Sequence, residues 1–225
     1  MADSRSVILA SASPRRRQLL ASMGLSFEVA VPDIDENALE GEAVDRLARR
    51  LSLAKAEAVA ATHVESVIIA ADTIVVIDGH VLGKPSSEAD AIDMLARLRD
   101  QRHLVYSGLA LVDTATGRRC QQVAITPVYM RNYADKEILR YVAGGGAMDK
   151  AGAYAIQDAG FVPVARIGNC YANVMGLPLC HLYRALVAFG VPVPTHPLDC
   201  CPLAVEKGCA WAECILQSPQ EEWCG

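Results

Sequence analysis

A chain of 225 residues that is 52% hydrophobic and only 21% charged carries enough apolar side chain to offset the ordering entropy of one substantial core, which excludes a disordered chain. Its formal net charge of −5 argues against a protein whose task is to hold a nucleic-acid polymer, yet a few local cations suffice for a small phosphorylated ligand. No uninterrupted apolar run reaches the roughly 18 residues of a membrane span, and Val7 to Ala12 is too short before Arg15, Arg16 and Arg17 for a secretory signal, so the expected location is the cytoplasm.

Val7 to Ala10 reads as a short buried strand. Ser13-Pro14 then opens a helix, with a capping hydroxyl before a proline at the first helical position, and the helix runs to about Met23 and stops at Gly24. Phe27 to Val31 is a second strand, ended by Pro32. Ala43 to Ala61 repeats apolar residues at Val44, Leu47, Leu51, Ala54, Ala58 and Ala61, the period of an amphipathic helix with Arg46, Arg49 and Arg50 on another face. Val67 to Ile77 is β-branched, and Asp78-Gly79 signals a hairpin into Val81-Leu82. Ser87 with Asp90 resembles a capping box before a helix over Ala91 to Leu98. His103 to Asp113 and Val123 to Arg131 are predicted strands joined near Thr116-Gly117. Helices over Asp135 to Ala143 and Leu177 to Phe189 complete the order.

Hairpins mixed with helical crossovers imply an α/β fold with a mixed sheet. From Val191 the prolines at 192, 194, 197 and 202 change the composition, so the main domain is expected over 1–190 and a Cys/Pro-rich C-terminal extension over 191–225. Cys200, Cys201, Cys209, Cys214 and Cys224 crowd that extension, while Cys120, Cys170 and Cys180 are expected as buried free thiols of the body. His196, Cys200, Cys201, Cys209 and Cys214 offer thiolate and imidazole for a zinc or iron site; disulfides or free thiols are the alternatives.

Several residues point to phosphate chemistry. Ser11 to Arg16 lies between a strand and a helix, where backbone N–H groups and the helix dipole favour an anion. Two arginines in that first turn oppose the dipole, so they either meet an anion or form a solvated face. Asp72 interrupts an apolar strand and needs a pair, a metal or an exposed kink. Lys55 lies within a largely apolar helix, where it either snorkels or has a partner; Lys84 sits in a restricted Gly-Lys-Pro turn. Asp33 to Glu36 supplies carboxylates that could share a divalent ion with Asp72, or is a solvated acidic loop. Gln157 ends a glycine-punctuated stretch from Asp149 and either suits the mixed edge of a nucleobase or is structural.

Together, Ser11 to Arg16, Asp33 to Glu36, Ala71 to Val75, Val81 to Pro85, Val105 to Gly108, Asp149 to Gly152 with Tyr154 to Gln157, and Ile167-Gly168 through Asn173 to Pro178 resemble the Maf family of nucleotide pyrophosphatases over about residues 6 to 190. The resemblance implies a two-lobed mixed α/β fold similar to inosine-triphosphate pyrophosphatases. It also implies hydrolysis of a nucleoside triphosphate to the monophosphate and pyrophosphate with Mg²⁺ or Mn²⁺. By the same resemblance, Asp72 is the general base, Ser11, Arg16, Lys55 and Lys84 hold phosphates, and Glu36 joins Asp72 at the metal. Arg15, Thr73 and Gln157 fill the three selectivity positions of the dTTP/UTP group, whereas Asp158 departs from the glycine usual there. The alternatives are a 7-methyl-GTP enzyme and a nucleotide-binding regulator of septum formation. The resemblance leaves room for a homodimer.

Overall fold

A computed structural model describes residues 5–218. The first strand, β1 (Ser6–Ala10), feeds helix α1 (Pro14–Ser22), whose cap is the Ser13 hydroxyl accepting the Arg16 N–H at 3.4 Å. Strand β2 (Glu28–Ala30) follows, then α2 (Val44–Ala60), the long strand β3 (Ser66–Ile77), β4 (His80–Leu82) and α3 (Glu88–Leu98). The Ser87 hydroxyl caps α3 through the Asp90 N–H at 3.1 Å, but the Asp90 carboxylate accepts from the Ser86 backbone and hydroxyl, so the box is displaced by one residue. Strands β5 (Arg102–Asp113) and β6 (Arg119–Met130) form the longest hairpin, and α4 (Asp135–Ala143) comes next. The chain then adds β7 (Val164–Ile167), α5 (Tyr171–Met175), α6 (Leu179–Ala188), α7 (Pro197–Cys200), α8 (Pro202–Lys207) and α9 (Ala210–Gln217).

The sheet order is β2-β1-β3-β5-β6-β7, with β4 paired to β3. Strand β1 is parallel to both β2 and β3; the other pairs are antiparallel, so the sheet is mixed. Strand β6 starts at Arg119, before the expected Val123, because its pairing with β5 continues to Val112 opposite Arg119. Strand β7 has no expected counterpart: only Val164 and Ile167 of its four residues are even half-buried, so it lacks a hydrophobic period. The helix expected over Leu177 to Phe189 is α6, Leu179–Ala188, and the unexpected short helix α5 precedes it, ended by Gly176 in the left-handed conformation at φ 106°.

One face of the sheet packs on α1, α5 and α6 through Leu9, Ile69, Leu111, Leu19, Met175 and Leu186. The opposite face takes α2 through Ile8, Ile68, Ile74, Leu47, Leu51 and Val59. Gly108 on β5 allows that contact: an added Cβ would lie 1.9 Å from the Ala48 carbonyl oxygen. The residues after Val191 join the first face, with Cys201 in the core and Arg184 of α6 donating to the carbonyls of Ile215 and Ser218. Their prolines start short helices rather than only ending structure, since Pro197 and Pro202 both occupy first helical turns. Among the described residues no helix is long and apolar enough to cross a membrane.

Two buried histidines give the fold a pH dependence. His103 on β5 meets the Tyr154 hydroxyl through Nε2 at 2.8 Å, and burial pushes its pKa down to about 4. His181 on α6 is also held at about 4, by burial first and then by Arg184. The unfolded chain takes up protons at these sites near the ordinary histidine value of about 6.5, whereas the folded chain does so only near 4. Acidification through that window therefore favours unfolding, by about 3 kcal/mol for each site. Urea titrations at a series of pH values should show this loss, and His103→Gln should remove roughly half of the slope.

Candidate active site

The sheet has a notch. On the edge of β3 away from β5, pairing with β1 ends at Ile69 and pairing with β4 begins at Val75, so residues 70–74 have no described strand beside them. A cleft of about 610 Å³ opens at this notch, and the alternation of the strand aims successive side chains to opposite faces. Asp72 points to the α2 face and Thr73 to the α1 face, and the missing neighbour lets both line the cleft. Ser11, Arg15, Arg16, Glu36, Lys55, Lys84 and Gln157 line it too, so all nine residues singled out from the sequence meet in one place. Five cations and three carboxylates border the cleft, which is therefore positive within a chain of net charge −5.

Lys55 is buried on the inner face of α2, and its Nζ lies 2.5 Å from Asp72 Oδ1 and 2.7 Å from Glu36 Oε1. The lysine does not snorkel, because the two carboxylates supply its partners inside. Glu36 is 53% exposed, so it brings the cluster to the cleft mouth, while Oδ2 of Asp72 accepts no hydrogen bond from the described residues and is open to a water. That two carboxylates converge on a single cation also tests the metal expectation. The pair supplies hard oxygen donors of the kind a divalent cation uses when it keeps most of its waters, and among the described residues no group of three or more His, Cys, Asp or Glu side chains is gathered for a metal.

Arg16 is held by three bonds: Nε donates to the Gly176 carbonyl at 2.9 Å, one terminal nitrogen to Ser11 Oγ at 3.2 Å and the other to Thr73 Oγ1 at 3.0 Å. Burial pulls its pKa below the ordinary arginine value, with the field of Asp72 opposing that pull, and a guanidinium stays charged under such conditions. The Ser107 hydroxyl donates to the Asn173 carbonyl at 3.1 Å, so its one proton is engaged and Thr73, 3.0 Å away, must donate to Ser107. Thr73 thus presents only acceptor capacity toward the cleft. Ser107, Asn173 and Gly176 are support that the matching sequence stretches contained without revealing a role.

Lys84, after the hairpin, is exposed and forms no ion pair with the described residues. It is the cation with the most to gain from an arriving phosphate. Lys84→Ala is expected to lower kcat/KM about 10- to 100-fold, the worth of a charge-assisted hydrogen bond, with the melting temperature unchanged. Steady-state kinetics beside a thermal melt would check both parts.

The segment from Asp149 to Gln157 forms the facing wall. Gly152 fixes it, with φ 67°, its N–H donating to the Gly83 carbonyl at 3.0 Å, and no room for a Cβ against Val75 at 3.0 Å. Asp149, Lys150 and Tyr154 line the cleft beside Gln157 and were not singled out from the sequence; only their position on the glycine-punctuated stretch could have suggested them. Asp158 does not line the cleft. Its Oδ1 accepts the N–H groups of Gly160 at 3.0 Å and Phe161 at 2.9 Å, closing the next turn.

The tail does not assemble the zinc or iron centre considered for His196, Cys200, Cys201, Cys209 and Cys214. Among the described residues no group of three or more His, Cys, Asp or Glu side chains is gathered for a metal. His196 Nδ1 accepts the Leu198 N–H at 3.4 Å and its ring packs edge-on to Tyr183, Cys201 is in the core, and Cys214 is exposed on α9. Cys224 lies outside the described residues. Burial pushes the Cys170 and Cys180 thiols up to about 12, which keeps them as inert packing groups. Cys120, expected as another free thiol, is disulfide-bonded instead.

A family model described as Maf-like protein matches residues 6–189. The chain is 43% identical over 189 residues to a dTTP/UTP pyrophosphatase of Desulforamulus reducens, covering 84% of this chain and 99% of that one. It is 45% identical over 188 residues to a protein of the same description from Dictyoglomus turgidum, covering 83% and 97%. A third, from Moorella thermoacetica, is 46% identical over 187 residues, covering 83% and 96%.

Proposed function

We propose, from the premise that this chain belongs to the Maf-like protein family, that it hydrolyses dTTP and UTP to the nucleoside monophosphate and pyrophosphate. The observation that carries this reading is the cluster of Asp72, Lys55 and Glu36 at the floor of a cleft that also presents Ser11, Arg16 and Lys84. A fold with two lobes around the cleft, like that of inosine-triphosphate pyrophosphatases, is part of the proposal, as are a cytoplasmic location and a homodimer.

The chemistry follows from where charge develops. Attack of water on the α-phosphorus breaks the bond to the bridging oxygen and leaves negative charge on pyrophosphate, so fixed cations there lower the transition state more than the ground state. Asp72, with one oxygen on Lys55 and the other open, orients the water and accepts its proton. Ser11, Arg16, Lys55 and Lys84 hold the phosphate chain, Arg16 being pre-oriented by its three protein contacts. Glu36 and Asp72 would hold a divalent ion, which when bound neutralises phosphate charge and lowers the pKa of water. Arg15, Thr73 and Gln157 read the base; a donor from Arg15 and the mixed amide of Gln157 suit the acceptor–donor–acceptor edge of uracil or thymine.

The test is to incubate the purified chain with Mg²⁺ and dTTP, UTP, CTP or 7-methyl-GTP and to measure released pyrophosphate. Turnover of dTTP and UTP above the other two is expected. Release of orthophosphate in place of pyrophosphate, or preference for 7-methyl-GTP, would overturn the reading.

A further inference from the structure

Arg15 poses a physical problem that the neighbouring wall answers. It stands next to Arg16 in the first turn of α1, within a cleft meant for a triphosphate of about four negative charges, and an unrestrained arginine there would collapse onto the phosphates. Arg16 is tied to Gly176, Ser11 and Thr73, so it is already oriented. Arg15 instead reaches across the cleft, with a terminal nitrogen 3.5 Å from Asp149 Oδ2, while the other oxygen of Asp149 accepts from Lys150 Nζ.

Asp149 can act as an anchor because its own wall is fixed. Three residues on, Gly152 is clamped between the Gly83 carbonyl and Val75, and five residues further Gln157 borders the same cleft. The carboxyl of Asp149 sits below its ordinary pKa: burial acts to raise it, but Lys150 and Arg15 outweigh that, so it is an anion at neutral pH.

We infer that Asp149 is a positioning residue for base selectivity: it draws Arg15 away from the phosphates and holds it on the wall that carries Gln157, so that both read one pyrimidine edge. The inference rests on the proposed dTTP/UTP hydrolysis and deepens it. Asp149 touches no reacting atom; it acts through Arg15, and Lys150 keeps the carboxylate turned toward the cleft wall.

The experiment is a double-mutant cycle read on substrate preference. Asp149 is 61% exposed, so Asp149→Ala should fold, and a thermal melt of each variant accompanies the kinetics. Asp149→Ala is expected to lower the UTP:CTP ratio of kcat/KM about fivefold through KM, with kcat for UTP within about twofold, as befits a partly exposed ion pair. Asp149→Glu should recover at least half of that ratio, and Arg15→Ala/Asp149→Ala should match Arg15→Ala alone, because one residue acts through the other. An unchanged ratio in Asp149→Ala, or independent effects that multiply in the double variant, would overturn the inference while leaving the proposed function intact. Failure of the wild-type chain to release pyrophosphate from UTP would overturn both.

Discussion

Asp72→Asn is expected to lower kcat for UTP about 10³-fold while leaving nucleotide affinity within about tenfold. The carboxamide keeps the shape of the side chain and can still accept from Lys55, which also retains Glu36, so the floor of the cleft should hold its form. What it loses is the ability to take a proton from water at neutral pH. Pyrophosphate release measured with enzyme in excess separates the chemical step from binding, and equilibrium titration with UTP measures affinity directly. Turnover within tenfold of the wild type would remove Asp72 from the role of base. A parallel collapse of affinity and rate would instead assign it to holding the substrate.

The largest effect on folding is expected at Gly108→Ala. Gly108 lies opposite Asp72 in the β3–β5 register, directly beneath α2, and its added Cβ would stand 1.9 Å from the Ala48 oxygen, 2.4 Å from the Ala48 carbonyl carbon and 2.9 Å from the Ser52 hydroxyl. Two of those atoms are backbone, so no rotamer change relieves the overlap and the helix itself must lift. Overpacking of this kind costs about 3 kcal/mol, which for a chain of this size lowers the melting temperature by about 6–12 °C. Activity should fall further than stability, because α2 carries Lys55 and a lifted helix withdraws it from Asp72 and Glu36. Gly144→Ala, where the added Cβ meets nothing nearer than 3.4 Å, is the control and should stay within about 0.5 kcal/mol of the wild type. A Gly108→Ala chain as stable as that control would show that the close approach of α2 is not required.

Much of the fold was legible because its signals are local. The period of α2, the β-branched run of β3, the hairpin at Asp78-Gly79 and the cap of Ser13 all depend on residues within four positions of one another. Strand β7 and helix α5 were not legible, since four residues without alternation and five residues without a full amphipathic turn carry too little pattern. The motif stretches identified the residues of the cleft but not why many of them are needed: Ser107, Asn173 and Gly176 support Thr73 and Arg16 through bonds invisible to any spacing rule.

The amino-acid order by itself determined the family, the alternation of strands and helices, and the choice of Asp72, Lys55, Lys84 and the two arginines as the groups worth following. Only the tertiary structure decided that along β3 the pairing with β1 stops at Ile69 and the pairing with β4 starts at Val75, opening the notch, and that Lys55 turns inward to two carboxylates instead of outward to water. It also decided that Arg15 crosses to Asp149 while Arg16 bonds a carbonyl 160 residues away. The reason is physical: periodicity records which face a side chain takes on its own element, whereas partners distant in the chain are chosen by strand register, strand ends and the closeness with which a helix can approach the sheet.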